Sequence, residues 1–124
     1  MTQLLAIAAG GAAGAVLRFW VSNGVYALLG RGFPYGTLAV NILGSLVMGF
    51  LYIWLLDRLA VGPASRAFLL IGLLGAFTTF STFSMETMNL IEAGELLKAA
   101  LNMILSVALC VAATAFGILL GRQL

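Results

Sequence analysis

Four long apolar stretches occupy almost the whole of this 124-residue chain, and each is long enough to cross a lipid bilayer. A transmembrane helix needs about 20 apolar residues to cross about 30 Å of hydrocarbon. Charged residues make up 8% of the chain, against about 25% in soluble domains. The sequence therefore predicts an all-α membrane protein in which residues 1–124 form one domain of four transmembrane helices. The expected spans are residues 4–29, 34–56, 67–90 and 99–120.

Positive charge indicates how the spans are oriented. Short connections make consecutive helices antiparallel, so both ends of the chain and the middle loop share one side of the membrane. That side carries Arg58, Arg66 and Arg122, and the other carries Arg31 and Lys98. The cytoplasmic side normally holds the excess of Lys and Arg, and here the excess is small. Two alternatives stay open: termini in the cytoplasm, or insertion in both orientations, which would let two copies pair in opposite directions.

Small residues recur four positions apart in three of the spans. Such stripes let helix backbones approach closely in lipid, where van der Waals packing drives association. The pattern serves packing within one chain and contact between two copies equally well. The stripes are Gly10 and Gly14, Ser45 and Gly49, and Ala113, Gly117 and Gly121.

Residues 72–83 interrupt the third span with glycines and hydroxyl side chains. Gly72 and Gly75 are followed by Phe77, Phe80 and Phe83 at a spacing of three. Irregular backbone at membrane depth is tolerated only inside protein or along a cavity. We therefore predict that the third helix is broken mid-membrane and that the break lines a functional cavity. The interleaved hydroxyls belong to Thr78, Thr79, Ser81, Thr82 and Ser84.

Arg18, Asn41 and Glu86 are the strongly polar residues within the spans, and such residues mark transport pathways by default. Each has a structural alternative: Arg18 can reach the membrane interface, Asn41 can bond a neighbouring helix, and Glu86 can bond a nearby hydroxyl. Amide and hydroxyl hydrogens and phenyl ring edges are weak positive poles. They can replace part of an anion's hydration shell without holding the anion too tightly to leave.

Three motifs follow one another along the first three spans. Residues 11–19 read GAAGAVLRF, residues 36–45 read GTLAVNILGS, and residues 72–84 read GLLGAFTTFSTFS. In a four-span chain of this length, the three together resemble the small fluoride channels of the Fluc or CrcB family. The resemblance covers the whole chain, and the combination is far more specific than any one motif.

The resemblance implies a passive, fluoride-selective export channel in the bacterial inner membrane, not an enzyme and not a nucleic-acid-binding protein. It implies an antiparallel homodimer of dual-topology subunits with two pores. The ring edges of Phe80 and Phe83 would face fluoride, and Asn41 would line the pore. A structural Na⁺ on the dimer axis would be held by the main-chain carbonyls of Gly75 and Thr78 from both copies.

The resemblance also implies a vestibule and a polar track. Arg18 would raise the anion concentration in the vestibule. The fluoride pore would be completed by seven further side chains. These are Thr37, Ser81, Thr82, Ser84, Glu86, Cys110 and Thr114.

Two other functional classes remain as alternatives. A small proton-coupled multidrug-type exporter shares the four-span plan and needs an acid within the membrane, for which Glu86 is the one candidate. A non-transporting assembly subunit is the second alternative, but it leaves Arg18, Asn41 and the hydroxyl run unexplained. The sequence carries no nucleophile–base pair and no metal-ligand cluster typical of an enzyme.

Overall fold

A computed structural model describes residues 1–59 and 61–124, with the side chains of residues 58 and 59 excepted. The side chain of Arg58, which enters the charge balance, therefore lies outside the described part. Helix α1 covers Thr2–Leu29. Helix α2 covers Tyr35–Ile53 and continues as wider π-helical turns over Trp54–Leu59. All regular structure in the described residues is helical.

The third helical region is assembled from several pieces. It begins with α3 (Pro63–Arg66), continues as a π-helical segment over Ala67–Leu73, and ends its first half with α4 (Leu74–Phe77). Residues 78–80 leave the helix, and α5 (Ser81–Glu92) resumes it. Helix α6 covers Leu96–Gln123.

Four helical regions of the described chain are long and apolar enough to cross a membrane, which confirms the predicted number. We call them spans 1 to 4. Each extends beyond its apolar stretch at one end or both, because polar residues at a membrane interface remain compatible with helix. The regions are Thr2–Leu29, Tyr35–Asp57, Pro63–Glu92 and Leu96–Gln123.

Two glycines end helices at the same side of the molecule. Gly30 has a φ of 83° after α1, and Gly94 has a φ of 79° after α5. Only glycine adopts this left-handed backbone routinely, so it closes helices at low cost. The Gly30 amide donates to the Tyr26 carbonyl at 2.8 Å, which satisfies one of the last carbonyls of α1. The connections that follow are short and reverse the chain direction.

Span 2 packs most closely against span 4, and glycines explain why. A Cβ atom at Gly49 would overlap the Thr114 carbonyl oxygen, and one at Gly117 would overlap the Leu46 carbonyl oxygen. The Thr114 hydroxyl also donates to the Ser45 carbonyl at 3.2 Å. The stripes of spans 2 and 4 therefore serve packing within one chain.

Span 1 packs against span 3 in the same manner. Added Cβ atoms at Gly10 and Gly14 would overlap the carbonyl oxygens of Phe68 and Leu73. Gly72 contributes from the other side, where a Cβ would lie 2.7 Å from the Ile7 carbonyl oxygen. The close approach of these two spans places α1 against the segment that leads into the helix interruption.

The distribution of polar and apolar side chains is inverted relative to a soluble protein. Thr37, Thr87 and Asn102 are buried, whereas large apolar side chains such as Trp20 and Ile104 are exposed. Between helices in lipid, polar side chains bond to one another and apolar side chains face hydrocarbon. The packing is thus that of a membrane protein.

The packing predicts unequal effects of two glycine substitutions. Gly49→Ala forces apart spans 2 and 4, and we expect a loss of about 1–3 kcal/mol in stability, the usual cost of overpacking. Gly24→Ala is the matched control, because a Cβ there meets nothing within 4 Å. Thermal unfolding in detergent measures both. A wild-type melting temperature for Gly49→Ala would contradict this account of the interface.

Candidate functional site

The interruption of span 3 is held by the side chain of Asn41 on α2. Asn41 Nδ2 donates to the Thr79 carbonyl at 2.9 Å, and the Thr79 amide donates to Asn41 Oδ1 at 2.8 Å. One side-chain amide thus satisfies both backbone groups of the residue at the centre of the break. Gly44, one turn along α2, lets the break approach, because a Cβ there would overlap the Thr78 methyl group.

The hydroxyl of Thr79 caps the first turn of α5, which forms the second half of span 3. Thr79 Oγ1 accepts the Thr82 amide at 3.3 Å, which is the side-chain capping that helix N-termini favour. The same oxygen donates to Thr82 Oγ1 at 3.2 Å. The Thr79 side chain therefore stabilises the point where the break ends and α5 begins at Ser81.

The carbonyls of Gly75 and Thr78 are among those that lose their helical partners at the break. In a continuous helix the amides of Thr79 and Thr82 would donate to the carbonyls of Gly75 and Thr78. Here those amides donate to Asn41 Oδ1 and Thr79 Oγ1 instead. No hydrogen bond from the described residues reaches either carbonyl oxygen. Both remain available to a cation, a water molecule or another donor.

Arg18 reaches the break from α1. Its Nε donates to the Ala76 carbonyl at 3.1 Å, an oxygen that a continuous helix would pair with the amide of Phe80. The two residues are 58 positions apart in sequence, and the hydrogen bond between them is partly buried. Arg18 thus acts as a support of the break in this structure, and its vestibule role stays a prediction.

A cavity of about 490 Å³ lies between α2, the break and α6. We call it the central cavity. It gathers seven of the residues that the sequence placed at a site, from three spans. These are Asn41, Gly75, Thr78, Phe80, Phe83, Cys110 and Thr114.

The two phenylalanine rings lie side by side at this cavity. Their centroids are 5.3 Å apart and their planes are inclined by 45°, so each presents an edge as well as a face. Phe80 is 77% exposed in the single chain and lies near the middle of the third apolar helical region, Pro63–Glu92. The cavity is consequently open on the side of this ring.

The other predicted residues lie outside the central cavity. Ser84 bonds the Phe80 carbonyl at 3.0 Å, and Thr37 is buried. Glu86 accepts a hydrogen bond from the Tyr26 hydroxyl at 2.7 Å, beside a separate cavity of about 230 Å³. Ser81 and Thr82 surround the Thr79 hydroxyl.

Sequence reasoning missed two polar residues of α6. Asn102 is buried and donates to Thr87 Oγ1 at 2.9 Å, while Ser106 lines the central cavity. Asn102, Ser106, Cys110 and Thr114 recur every four residues in an otherwise apolar helix. Residues four apart share a helix face, so this spacing was the available signal.

A four-span membrane protein with an interrupted helix, beside a mainly apolar cavity that carries a few polar side chains, has the architecture of a small channel or transporter. The model of the family described as CrcB-like protein, Camphor Resistance (CrcB), matches residues 5–118. The chain belongs to this family, which confirms the resemblance drawn from its motifs.

Curated relatives are similar over nearly the whole chain. The chain is 60% identical over 122 residues to the "Fluoride-specific ion channel FluC" of Methylococcus capsulatus, covering 98% of this chain and 54% of that protein. It therefore spans about half the length of that relative. It is 57% identical over 123 residues to the protein of the same name from Coxiella burnetii, covering 98% and 99%. The similarly named Geobacter sulfurreducens protein is 51% identical over 124 residues, covering 100% of both.

The bonds to Thr79 predict that Asn41→Ala destabilises the protein. Two backbone groups lose their partner, and each buried polar group left unsatisfied costs about 1–3 kcal/mol. Ser84→Ala is the control, because the Phe80 carbonyl keeps the Ser84 amide as a donor at 2.9 Å. Thermal unfolding in detergent compares them. Equal melting temperatures for the two variants would mean that Asn41 does not hold the break.

Proposed function

We propose that this chain forms a fluoride-selective channel that exports fluoride passively across the membrane. The observation that carries the proposal is the 50–60% identity, over nearly the whole chain, to proteins named as fluoride-specific ion channels. The central cavity agrees with it, since it combines Asn41 with the edges of Phe80 and Phe83. Channels of this kind are not enzymes, in agreement with the expectation from sequence.

Selectivity follows from the chemistry of the cavity lining. Fluoride is small and accepts hydrogen bonds strongly, whereas chloride is larger and accepts them weakly. One Asn41 amide hydrogen is used by the Thr79 carbonyl, and the second remains for an ion. Hydroxyls and ring edges supply further partial positive charge without a full cation. Such a lining stabilises fluoride by short contacts and still lets it leave.

The working unit we propose is an antiparallel homodimer with two pores. The nearly balanced Lys and Arg count supports insertion in both orientations. The opening of the central cavity beside the exposed Phe80 ring supports a second copy, because lipid there would leave polar groups in hydrocarbon. The interruption at residues 78–80 falls near the middle of span 3 (Pro63–Glu92), which supports a mid-membrane position.

A Na⁺ ion at the break is compatible with the residues present. Carbonyls of unwound backbone bind Na⁺ at membrane depth in transporters. The carbonyl oxygens of Gly75 and Thr78 have lost their helical donors, so each chain offers two hard oxygen ligands. Two copies would offer four. When bound, the ion supplies a fixed positive charge that favours anions nearby.

The proposed direction of transport follows from acid–base chemistry. Fluoride enters cells as neutral HF and is trapped as the anion at neutral pH, so an open fluoride path in the bacterial inner membrane lowers its cytoplasmic concentration. No coupling ion or ATP is needed. A proton-coupled exporter would need Glu86 to exchange its proton with water during each cycle, and the names of the relatives favour the channel instead.

Ion efflux from liposomes tests the proposed function. Purified protein should release fluoride rapidly under a potassium-clamped voltage and release chloride hardly at all. A pH dye in the same vesicles should report no proton movement in fixed ratio to fluoride. Comparable fluoride and chloride fluxes would refute the proposal, and a fixed proton ratio would favour the exporter.

The ring edges of the central cavity predict a loss of flux on Phe83→Ile. The swap keeps apolar bulk but removes the ring edge, so we expect fluoride flux to fall at least tenfold, equivalent to about 1.4 kcal/mol in barrier. Phe116→Ile is the matched control, because Phe116 is exposed and lies on α6 away from the cavity lining. Liposome efflux measures both, with size-exclusion chromatography checking assembly. Near-wild-type flux for Phe83→Ile would mean that the phenylalanine rings only pack and do not bind fluoride.

A further inference from the structure

A second cavity of about 230 Å³ lies at the end of span 3, where the loop after α1 meets the last turns of α5. We call it the mouth cavity. Its lining includes Tyr26, Arg31, Glu86 and Asn89. The loop residue Arg31 is exposed, so the cavity opens at the surface of the chain beside the loop after α1.

The mouth cavity continues the line of the central cavity along one helix face. Phe83 lines the central cavity, while Glu86 and Leu90 line the mouth cavity. These three lie at i, i+3 and i+7 on α5, and this spacing keeps side chains on one face. Seven residues of helix advance about 10 Å. A route for an ion from the rings along this face would lead to the mouth cavity.

A carboxylate on this route opposes the passage of an anion. Tyr26 donates to Glu86 Oε2, but Glu86 Oε1 is buried and has no hydrogen-bond partner among the described residues. Like charges in a partly desolvated site repel more strongly than in water. When Glu86 is ionised, a fluoride path past it needs positive charge nearby.

Arg31 supplies a positive charge at this place. Its guanidinium carbon lies 4.4 Å from the centroid of the Tyr26 ring, the same ring whose hydroxyl bonds Glu86. Arg31 Nη2 also donates to Asn23 Oδ1 at 3.5 Å, which helps to fix it over the ring. Of the described residues that line the central and mouth cavities, Arg31 is the one cation.

We propose that the mouth cavity is an outer binding site for small inorganic anions, in which Arg31 draws fluoride toward the central cavity. The proposal rests on the proposed channel function. In this cavity Arg31 offsets the acidic side chain of Glu86, and a cation in a low-dielectric concavity raises the local anion concentration. Arg31 is then a determinant of conductance at low ionic strength, and salt screens its effect.

Fluoride flux at two ionic strengths tests the proposal. In liposomes at about 10 mM salt the screening length is about 30 Å, and at about 1 M it is about 3 Å. We expect Arg31→Gln to lower flux at least about threefold at low salt and hardly at all at high salt, as expected for loss of a steering charge. Arg31→Lys should retain most of the flux, because the charge remains.

Lys98→Gln is the matched control, because it makes the same charge change at the same end of the molecule. Lys98 bonds the Gly32 carbonyl at 3.2 Å and does not line the mouth cavity. Its effect at low salt should be well below that of Arg31→Gln. Asn89→Lys adds a cation to the cavity lining and should raise flux at low salt, which gives a test that does not depend on removing Arg31.

The outcomes separate this proposal from the channel function itself. Absence of fluoride flux through the wild-type protein would refute the channel, whatever the variants do. Normal wild-type flux with unchanged flux in Arg31→Gln and Asn89→Lys would overturn the outer anion site alone. Equal losses in Arg31→Gln and Lys98→Gln, or a loss that persists at high salt, would also overturn it.

Discussion

The paired hydrogen bonds between Asn41 and the backbone of Thr79 are the interaction on which the site depends. A helix interrupted within a membrane exposes amides and carbonyls that hydrocarbon cannot satisfy. One side-chain amide, donating and accepting at once, satisfies both groups of a single residue. Because the Thr79 amide donates to Asn41, it no longer donates to the Gly75 carbonyl. The bonds that stabilise the break therefore also leave the Gly75 carbonyl oxygen without its helical donor.

Close helix packing places this side chain where it is needed. Gly44 permits the break to contact α2, and Gly49 and Gly117 bring α2 and α6 to backbone contact on the other side. Gly44 itself lines the central cavity, together with Asn41 on α2 and Thr114 on α6. Arg18, donating to the Ala76 carbonyl, supports the break from span 1. The cavity lining and the helix packing therefore share residues, so we expect substitutions at the break to affect stability as well as transport.

The number of spanning helices followed from the sequence, because length and apolarity decide it locally. The interruption was foreseeable from Gly75 and the run of hydroxyls. The central cavity brings Asn41, Phe80 and Phe83 together, and their role in a fluoride pore stays a prediction. What Asn41 and Arg18 bond was not foreseeable, since their partners lie 38 and 58 residues away. The hydrogen bond from Tyr26 to Glu86 was not predicted for the same reason, since the two residues are 60 positions apart. Asn102 and Ser106 had a readable signal in their four-residue spacing with Cys110 and Thr114, which was overlooked in a strongly apolar helix.

If the chain works as proposed, fluoride binds in the cavity formed by the broken helix, Asn41 and the phenylalanine rings. Solid-state NMR of the protein in bilayers tests this directly, with ¹³C in the phenylalanine rings, ¹⁵N in the asparagine amides and ¹⁹F as the bound ion. Bound fluoride should then show dipolar coupling to a ring carbon whose signal disappears in Phe83→Ile, and to the side-chain nitrogen of Asn41. Bound fluoride that couples to neither, in protein that still conducts fluoride selectively, would contradict it.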